Sequence, residues 1–158
     1  MPGRTPAVPV PMIRDATRAD LPVLQSIFER ASLSNAGDRA ALLDHPEALL
    51  FAWPDDPTFR CRVSPADAEG DLTGFATTVR ADHVIELVDL FVDPVYMRQG
   101  IARSLLDDVV VHARNTGARR IEVDGNPHAQ SFYEAVGFVV ESMVVTEFGP
   151  GLRLGRSL

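Results

Sequence analysis

The sequence contains no lysine, and it has only one cysteine and one tryptophan in 158 residues. All 15 basic residues are therefore arginines, and 22 Asp and Glu residues leave a formal net charge of -7. Such a chain lacks the positive face that neutralises phosphates, so we expect no nucleic acid among its partners. The missing lysine also excludes a Walker phosphate loop, which requires Gly-Lys-Ser/Thr.

Cysteine pairs and long apolar runs are also absent. The single cysteine, Cys61, excludes an internal disulfide and a thiolate metal cage, and we expect it in the core. The four histidines show no metal-ligand spacing, so we expect no metal site. The longest obvious apolar run, residues 48–53, is far below the ~18 to 20 residues of a membrane helix, so we expect no membrane association.

Residues 1–11 contain four prolines and no apolar block typical of a secretory leader. We therefore predict a disordered, proline-rich leader and a cytoplasmic location. Residues 12–158 carry the apolar periodicity of one globular domain, and 46% of the whole chain is apolar, enough for a well-filled core.

The periodicity alternates between strands and helices. A first strand at Met12–Ala16 precedes a helix that Thr17 and Asp20 begin as a capping box. His45-Pro46 interrupts a second helical stretch from about Asp38 to Leu50. Further strands are predicted at 59–63, 72–80, 84–92, 121–124, 138–146 and 152–156, and further helices at 100–115 and 128–136. A polar turn through Gly70 separates the strands at 59–63 and 72–80. The buried stripe of the helix at 100–115 is predicted to be Leu105, Leu106, Val109, Val110 and Ala113. The order predicts a single-domain, three-layer α/β/α fold with a mixed, mostly antiparallel sheet.

The run Val84–Val92 is apolar at almost every position, which predicts a central strand covered on both faces. Glu86 and Asp89 interrupt it, and strict alternation places Glu86 on the face of Leu90 and Asp89 on the opposite face. A buried, unpaired carboxylate is costly. Glu86 is therefore expected either to pair with Arg80 or to face a substrate cleft as a general base. We expect Asp89 to cap or salt-bridge a packed helix and to have no catalytic role.

Residues 92–103 lead from this strand through a loop into the next helix. Such a loop leaves the backbone N–H groups of Arg98–Ala102 free at a helix N-terminus, which favours an anion. Gly100 and Ala102 are small enough for a diphosphate to approach the backbone. A tight structural connection explains the same residues, so both interpretations stay open here. Arg103 is expected either to reach a phosphate or to pair with Asp107.

Two motifs in the expected order resemble the GNAT family of acetyl-coenzyme A dependent N-acetyltransferases. The first comprises Leu90-Phe91-Val92-Asp93-Pro94, Met97-Arg98-Gln99-Gly100-Ile101-Ala102 and Leu105-Leu106. The second comprises Asn126, Ala129, Phe132, Tyr133, Gly137 and Phe138. The chain departs from the family pattern at Met97, where Gln or Arg is usual, but the backbone N–H groups that follow are unaffected.

The resemblance implies acetyl-CoA as co-substrate and direct acetyl transfer to the amine of a small molecule or a peptide. It implies that the diphosphate is bound at Arg98, Gln99, Gly100, Ile101, Ala102 and Arg103. It also implies that the backbone of Leu90, Phe91 and Val92 pairs with the pantetheine arm and offers an N–H to the oxyanion. Asn126 would both cap the next helix and bind this arm.

For catalysis, the resemblance favours Glu86 as general base, and burial would raise its pKa. It implies that Tyr133 donates a proton to the leaving thiolate, and the alternative is that Tyr133 only packs in the core. The resemblance also implies a homodimer that forms through the last strands. No function follows from the residues of the segment Thr146–Pro150.

Two alternatives from other classes stay open. Met97 is compatible with a non-catalytic acyl-CoA-binding or regulatory module. A protein acetyltransferase that modifies a lysine or an N-terminus predicts an open groove beside Glu86. A small-molecule enzyme predicts instead a closed pocket walled by Phe51 and Trp53, and the alternative for these two residues is packing in the core.

Overall fold

A computed structural model describes residues 12–67, 71–146 and 149–158. The predicted leader, residues 1–11, lies outside the described residues, as do Gly70 of a predicted turn and Glu147 and Phe148 of the Thr146–Pro150 segment.

The strands and helices follow the predicted order. The strands of the described residues are β1 (Arg14–Asp15), β2 (Arg60–Pro65), β3 (Leu72–Ala81), β4 (Val84–Val92), β5 (Arg120–Gly125), β6 (Val139–Thr146) and β7 (Gly149–Ser157). Their α-helices are α1 (Leu21–Leu33), α2 (Ala36–Asp44), α3 (Ile101–Asn115) and α4 (Gln130–Ala135). The sheet order is β1-β2-β3-β4-β5-β7-β6, and among these strands only β4 and β5 pair in parallel. The predicted mixed, mostly antiparallel α/β fold is therefore confirmed.

Local sequence signals position the helix ends as predicted. The Thr17 N–H donates to Asp20 Oδ2 at 2.8 Å, and this capping box begins a 3-10 turn that leads into α1. The break at His45-Pro46 is present, because α2 ends at Asp44 and a 3-10 turn follows it. A helix was predicted from about Asp38, but α2 begins at Ala36, since the Asn35 side chain caps it.

Two apolar cores cover the two faces of the sheet. Ile85, Leu87 and Ile121 pack against α3 and α4 on one side, termed the α3 face. Cys61 and Phe75 pack against α1 on the other side, termed the α1 face. The predicted apolar stripe of α3 is buried along its length, at Leu105, Leu106, Val109, Val110 and Ala113. The three predicted layers are therefore present.

Strand β4 contains a bulge at Val88. Leu87 pairs with Thr78 and Asp89 pairs with Thr77, so Val88 has no partner on β3. The bulge shifts the alternation of faces by one residue. Leu90 therefore joins the α3 face, and Glu86 and Asp89 both lie on the α1 face. The predicted opposite placement of Glu86 and Asp89 is wrong, as is the predicted shared face of Glu86 and Leu90.

The parallel pairing of β4 with β5 stops early. It runs from Val84 opposite Arg120 to Leu87 opposite Val123. Beyond that point residues 89–92 pair only with β3, and residues 124–125 pair only with β7. The two strands therefore separate at their C-terminal ends, and an opening forms in the middle of the sheet.

Candidate active site

The loop between β4 and α3 presents a row of free backbone donors. The Tyr96 and Met97 N–H groups donate to carbonyls within the preceding turn, and the Ser104 N–H donates to the Gly100 carbonyl at 3.0 Å. Within the described part of the chain, no backbone N–H from residue 98 to residue 103 donates to another residue. The loop therefore has the donors that an anion cradle requires.

The backbone of this loop has two residues in the left-handed region. Arg98 has φ 65° and Gly100 has φ 79°, and such turns direct successive N–H groups towards one side. A Cβ added to Gly100 would meet nothing within 4 Å. The glycine is therefore needed for its conformation, and the space beside Gly100 is open.

Arg103 lies exposed in the first turn of α3. Both Arg103 and Asp107 belong to the described residues, and no ion pair connects them, so that predicted pairing is wrong. The guanidinium of Arg103 is consequently available beside the free amides. Met97 is 41% exposed next to the same loop.

Tyr133 lies on the α3 face beside the end of β5. Its ring packs on those of Phe132 and Phe138 with centroids 5.2 and 5.3 Å away, and a Cβ on Gly125 would lie 3.4 Å from its Cε2. Burial raises the pKa of Tyr133 to about 12, so the phenol is protonated at neutral pH. Its hydroxyl makes no hydrogen bond to another described residue. No buried side-chain N or O in this set lacks a partner, so the hydroxyl reaches solvent.

Asn126 caps the turn before α4, as predicted, because its Oδ1 accepts from the His128 N–H at 2.9 Å. Its Nδ2 donates to Asp38 Oδ2 of α2 at 2.6 Å. The sequence carries no signal for this second contact, since the two residues are 88 positions apart. Asn126 therefore links the β5–α4 turn to α2.

A cavity of about 560 Å³ lies where α1 and α2 face the β5–α4 turn and the β6–β7 hairpin. Phe91 of β4 and Asp124 and Gly125 of β5 line it, so it borders the opening between these strands. The rest of the lining is Ala31, Ser32, Asn35, Asp38, Ala41, Leu42, Asn126, Pro127, His128, Thr146, Pro150 and Gly151. We term this cavity the acceptor pocket.

Phe51 and Trp53, the predicted pocket walls, do not line this cavity. Both pack against the core of the α1 face, Phe51 on Phe75 and Trp53 on Phe59, each with ring centroids 5.2 Å apart. The acceptor pocket is instead walled by α1, α2 and the turn after β5.

Glu86 is exposed, so its predicted burial is wrong. It lines a smaller cavity of about 100 Å³ with Glu122, Val123, Asp124 and Arg153, and Asp124 also lines the acceptor pocket. Its predicted partner, Arg80, donates to the backbone carbonyls of Asp82 and Thr116, so that pairing is wrong too. Within the described ranges Glu86 forms no ion pair, which leaves its carboxylate available beside the pocket.

Asp89 has the environment predicted for Glu86. Burial raises the pKa of its carboxyl, and a hydrogen bond from Thr77 Oγ1 to Oδ2 at 2.6 Å partly opposes this effect. No Arg or His among residues 12–67, 71–146 and 149–158 forms an ion pair with it. The predicted helix cap or salt bridge is therefore wrong, and a neighbouring strand holds Asp89 instead.

Other chemistries receive no support from the described residues. Cys61 is buried, and burial raises the pKa of its thiol to about 12, which keeps it a poor nucleophile. No group of three or more His, Cys, Asp or Glu among them is arranged to hold a metal ion. None of their helices is long and apolar enough to cross a membrane.

The chain is similar in sequence to known acetyltransferases. The profile of the acetyltransferase (GNAT) family matches residues 24–138. A mycothiol acetyltransferase of Clavibacter michiganensis is 27% identical over 134 residues, which are 84% of this chain and 42% of that protein. An uncharacterized N-acetyltransferase of Mycobacterium tuberculosis is 31% identical over 117 residues, which are 72% of this chain and 66% of that protein. The chain thus spans 42% and 66% of the length of these two relatives.

The chain is also similar in fold to solved N-acetyltransferase structures. The PaiA N-acetyltransferase of Thermoplasma acidophilum, solved in complex with coenzyme A, superposes with a TM-score of 0.71 at 16% identity. The superposition covers 93% of this chain and 98% of that one. Since the family profile spans well over half of the sequence, the chain belongs to the GNAT acetyltransferase family.

Proposed function

We propose that the protein transfers the acetyl group of acetyl-CoA directly to a primary amine in a ternary complex. The observation that carries the proposal is the opening between β4 and β5. The loop with the free amides lies at the C-terminal end of β4, and the acceptor pocket borders the opening on the α1 face. A thioester in the opening would meet an amine that enters from the pocket.

On the cofactor side, the diphosphate binds the amides of Arg98, Gln99, Gly100, Ile101 and Ala102, with Arg103 beside them. Residues Leu90, Phe91 and Val92 have no partner on β5. Their backbone groups on that side are available to pair with the pantetheine arm and to donate an N–H to the developing oxyanion. Asn126 retains one amide hydrogen beyond its two observed contacts, which is available to the same arm.

Two residues on opposite faces of the sheet divide the proton transfers between them. As the new N–C bond forms and the C–S bond breaks, the amine loses a proton and the thiolate gains one. Glu86 lies on the α1 face, where the amine arrives, and takes its proton directly or through a water. Tyr133 lies on the α3 face. Its pKa of about 12 keeps the phenol protonated at neutral pH, so the hydroxyl has a proton to donate to the thiolate.

The acceptor is the amine of a small molecule or of a peptide. Two observations favour a protein lysine or N-terminus as a second candidate. Glu86 is exposed rather than enclosed, and Phe51 and Trp53 are in the core rather than around the pocket. A small amine is supported by the acceptor pocket itself, with Asp38 and Asp124 in its lining and a net charge of -7 that attracts cations.

We also propose that the protein works in the cytoplasm as a homodimer, with neither nucleic acid nor membrane as a partner. The free, buried Cys61 fits a reducing compartment. Strand β6 lies at the edge of the sheet, and its Met143 and Val145 are 74% and 96% exposed. Such an edge favours pairing with a second chain. Sedimentation of the wild type and of Val145→Glu tests whether the dimer forms through this edge.

Release of free CoA thiol from acetyl-CoA tests the proposed reaction. The acceptors are polyamines, amino acids, aminoglycosides and peptides, and calorimetry measures CoA binding in parallel. We expect binding and turnover on at least one amine. Binding without turnover on any amine would favour the non-catalytic acyl-CoA-binding module, and absence of CoA binding would overturn the proposal.

A further inference from the structure

An ion pair links α1 to the loop that carries the free amides. Arg30 Nη2 of α1 donates to Asp93 Oδ2, directly after β4. The Asp93 side chain is only 8% exposed, whereas that of Arg30 is 51% exposed. Arg30 is the single cation within ion-pair distance of Asp93 in the described part of the chain. The buried carboxylate therefore depends on a residue from another element.

Asp93 fixes the start of the loop through three further hydrogen bonds. Its Oδ1 accepts from the Val95 N–H at 3.2 Å, and its carbonyl accepts from the Tyr96 N–H at 2.8 Å. Its own N–H donates to the Thr73 carbonyl of β3 at 2.8 Å. Any movement of Asp93 thus changes the turn that directly precedes the free amides.

Arg30 is itself held in place and lies beside the acceptor pocket. Its Nη1 donates to Ser26 Oγ one turn earlier in α1, at 2.5 Å. The next two residues, Ala31 and Ser32, line the acceptor pocket. The same turn of α1 therefore contacts both the acceptor pocket and, through Asp93, the loop before α3.

We propose that Arg30 is a positioning residue for the diphosphate of acetyl-CoA, acting through Asp93. Without Arg30, the buried carboxylate loses the one cation that pairs with it among the described residues, and such a charge moves towards water when it can. The turn at Pro94–Tyr96 moves with it, and the amides of residues 98–103 lose their common direction. This inference rests on the proposed function, because it takes these amides as the diphosphate site.

The test measures CoA affinity by calorimetry for Arg30→Gln, Asp93→Asn and the double variant. We expect each single variant to bind CoA about tenfold more weakly, and the double variant to be no weaker than the worse single one, since the two residues act as one unit. The double variant also removes the uncompensated charge, so it keeps the test valid if Arg30→Gln folds poorly. Arg30→Lys should recover part of the affinity.

Two controls separate positioning from other effects. Pantetheine lacks the diphosphate, and its affinity, measured by NMR, should change less than about twofold, within the spread of independent sites. Arg14→Gln removes an ion pair with Asp20 just before α1, at 2.9 and 3.0 Å, and should leave CoA affinity unchanged.

The inference is overturned if CoA affinity is retained in Arg30→Gln, if pantetheine weakens equally, or if the two losses add in the double variant. A loss in Arg30→Gln but not in Asp93→Asn would make Arg30 a direct phosphate ligand and would overturn it as well. A wild type that binds no CoA defeats the proposed function, and this inference with it. Normal wild-type binding with unaffected variants defeats this inference alone.

Discussion

The loop before α3 and the acceptor pocket are built from different parts of the chain. The loop is one continuous segment whose binding groups are backbone amides. The pocket combines side chains from α1, α2, β4, β5, the following turn and the β6–β7 hairpin. Free amides arise from local features such as Gly100 at a helix start, whereas the pocket exists only after distant elements pack together. We therefore expect changes in the loop to affect the cofactor and changes around the pocket to affect the acceptor.

The largest effect is expected for Gly100→Glu. The new carboxylate enters the open space in front of the free amides, so it competes with the diphosphate for the same donors. We expect CoA affinity to fall more than about 100-fold, since an anion is lost from a site of several converging donors. Calorimetry with CoA measures the change.

Gly117→Glu is the matched control for this substitution. Gly117 follows α3, has the same φ of 79°, and also has open space around an added Cβ. The conformational strain of the two substitutions is therefore similar, but only Gly100→Glu should weaken CoA binding. If both variants bind CoA equally well, the diphosphate site is elsewhere.

Glu86→Gln is expected to have the next largest effect, on the acceptor side. Loss of the base should lower the rate about 10²-fold, the low end for a general base, and CoA affinity should not change because Glu86 lies on the α1 face. The loss of kcat/KM should be largest below the pKa of the amine, about 10, and should shrink at higher pH, where the amine is already neutral. Glu122→Gln is the control, since Glu122 is the register partner of Glu86 on β5 and lines the same cavity. An unchanged pH profile in Glu86→Gln would remove it from the mechanism.

The sequence was informative where structure is local. The free amides, the break at His45-Pro46, the capping box at Thr17 and the buried stripe of α3 each depend on a few neighbouring residues, and each expected feature of local structure is present. Whether the amides bind the diphosphate stays a prediction.

The predictions that were wrong or missing concern contacts between distant parts of the chain. The bulge at Val88 depends on how β3 and β4 pair, and strict alternation therefore assigned Glu86 and Asp89 to the wrong relative faces. The Asp38–Asn126 contact joins residues 88 positions apart, and no pattern within either segment encodes it. Side-chain pockets depend on such long-range contacts, so they are less accessible to sequence reasoning than a backbone loop.

Tyr133→Phe tests the face of the sheet opposite Glu86. The hydroxyl makes no hydrogen bond with a described residue, so its removal should leave the melting temperature nearly unchanged. If Tyr133 protonates the thiolate, turnover falls by about 10², at the low end of general acid catalysis, while CoA affinity is retained. Steady-state kinetics and thermal denaturation measure both quantities. Phe132→Leu, which alters the neighbouring ring, is the control, and equal losses in both variants would indicate packing rather than proton transfer.

The smallest effect is expected for Asp89→Asn, and it concerns stability. Burial raises the pKa of the Asp89 carboxyl, so the folded state favours its protonated form. Stability from this group is present below the usual carboxyl pKa and is lost as the pH rises through the raised value. The neutral Asn keeps an acceptor for Thr77 Oγ1 and avoids that loss. Its melting temperature should exceed that of the wild type by a few degrees at pH 7, since 1 kcal/mol corresponds to about 2–4 °C.

The same difference should disappear near pH 3, where Asp89 is protonated in both the folded and the unfolded state. Asp124→Asn is the control of opposite sign, because Asp124 is half-exposed and pairs with Arg153 at 2.8 Å, so neutralising it removes a favourable contact. Thermal denaturation of the three proteins at both pH values measures the effect. If Asp89→Asn is less stable than the wild type at pH 7, the Asp89 carboxylate is stabilised by its surroundings. The charge of Asp89 on the α1 face would then not lower the stability of the fold.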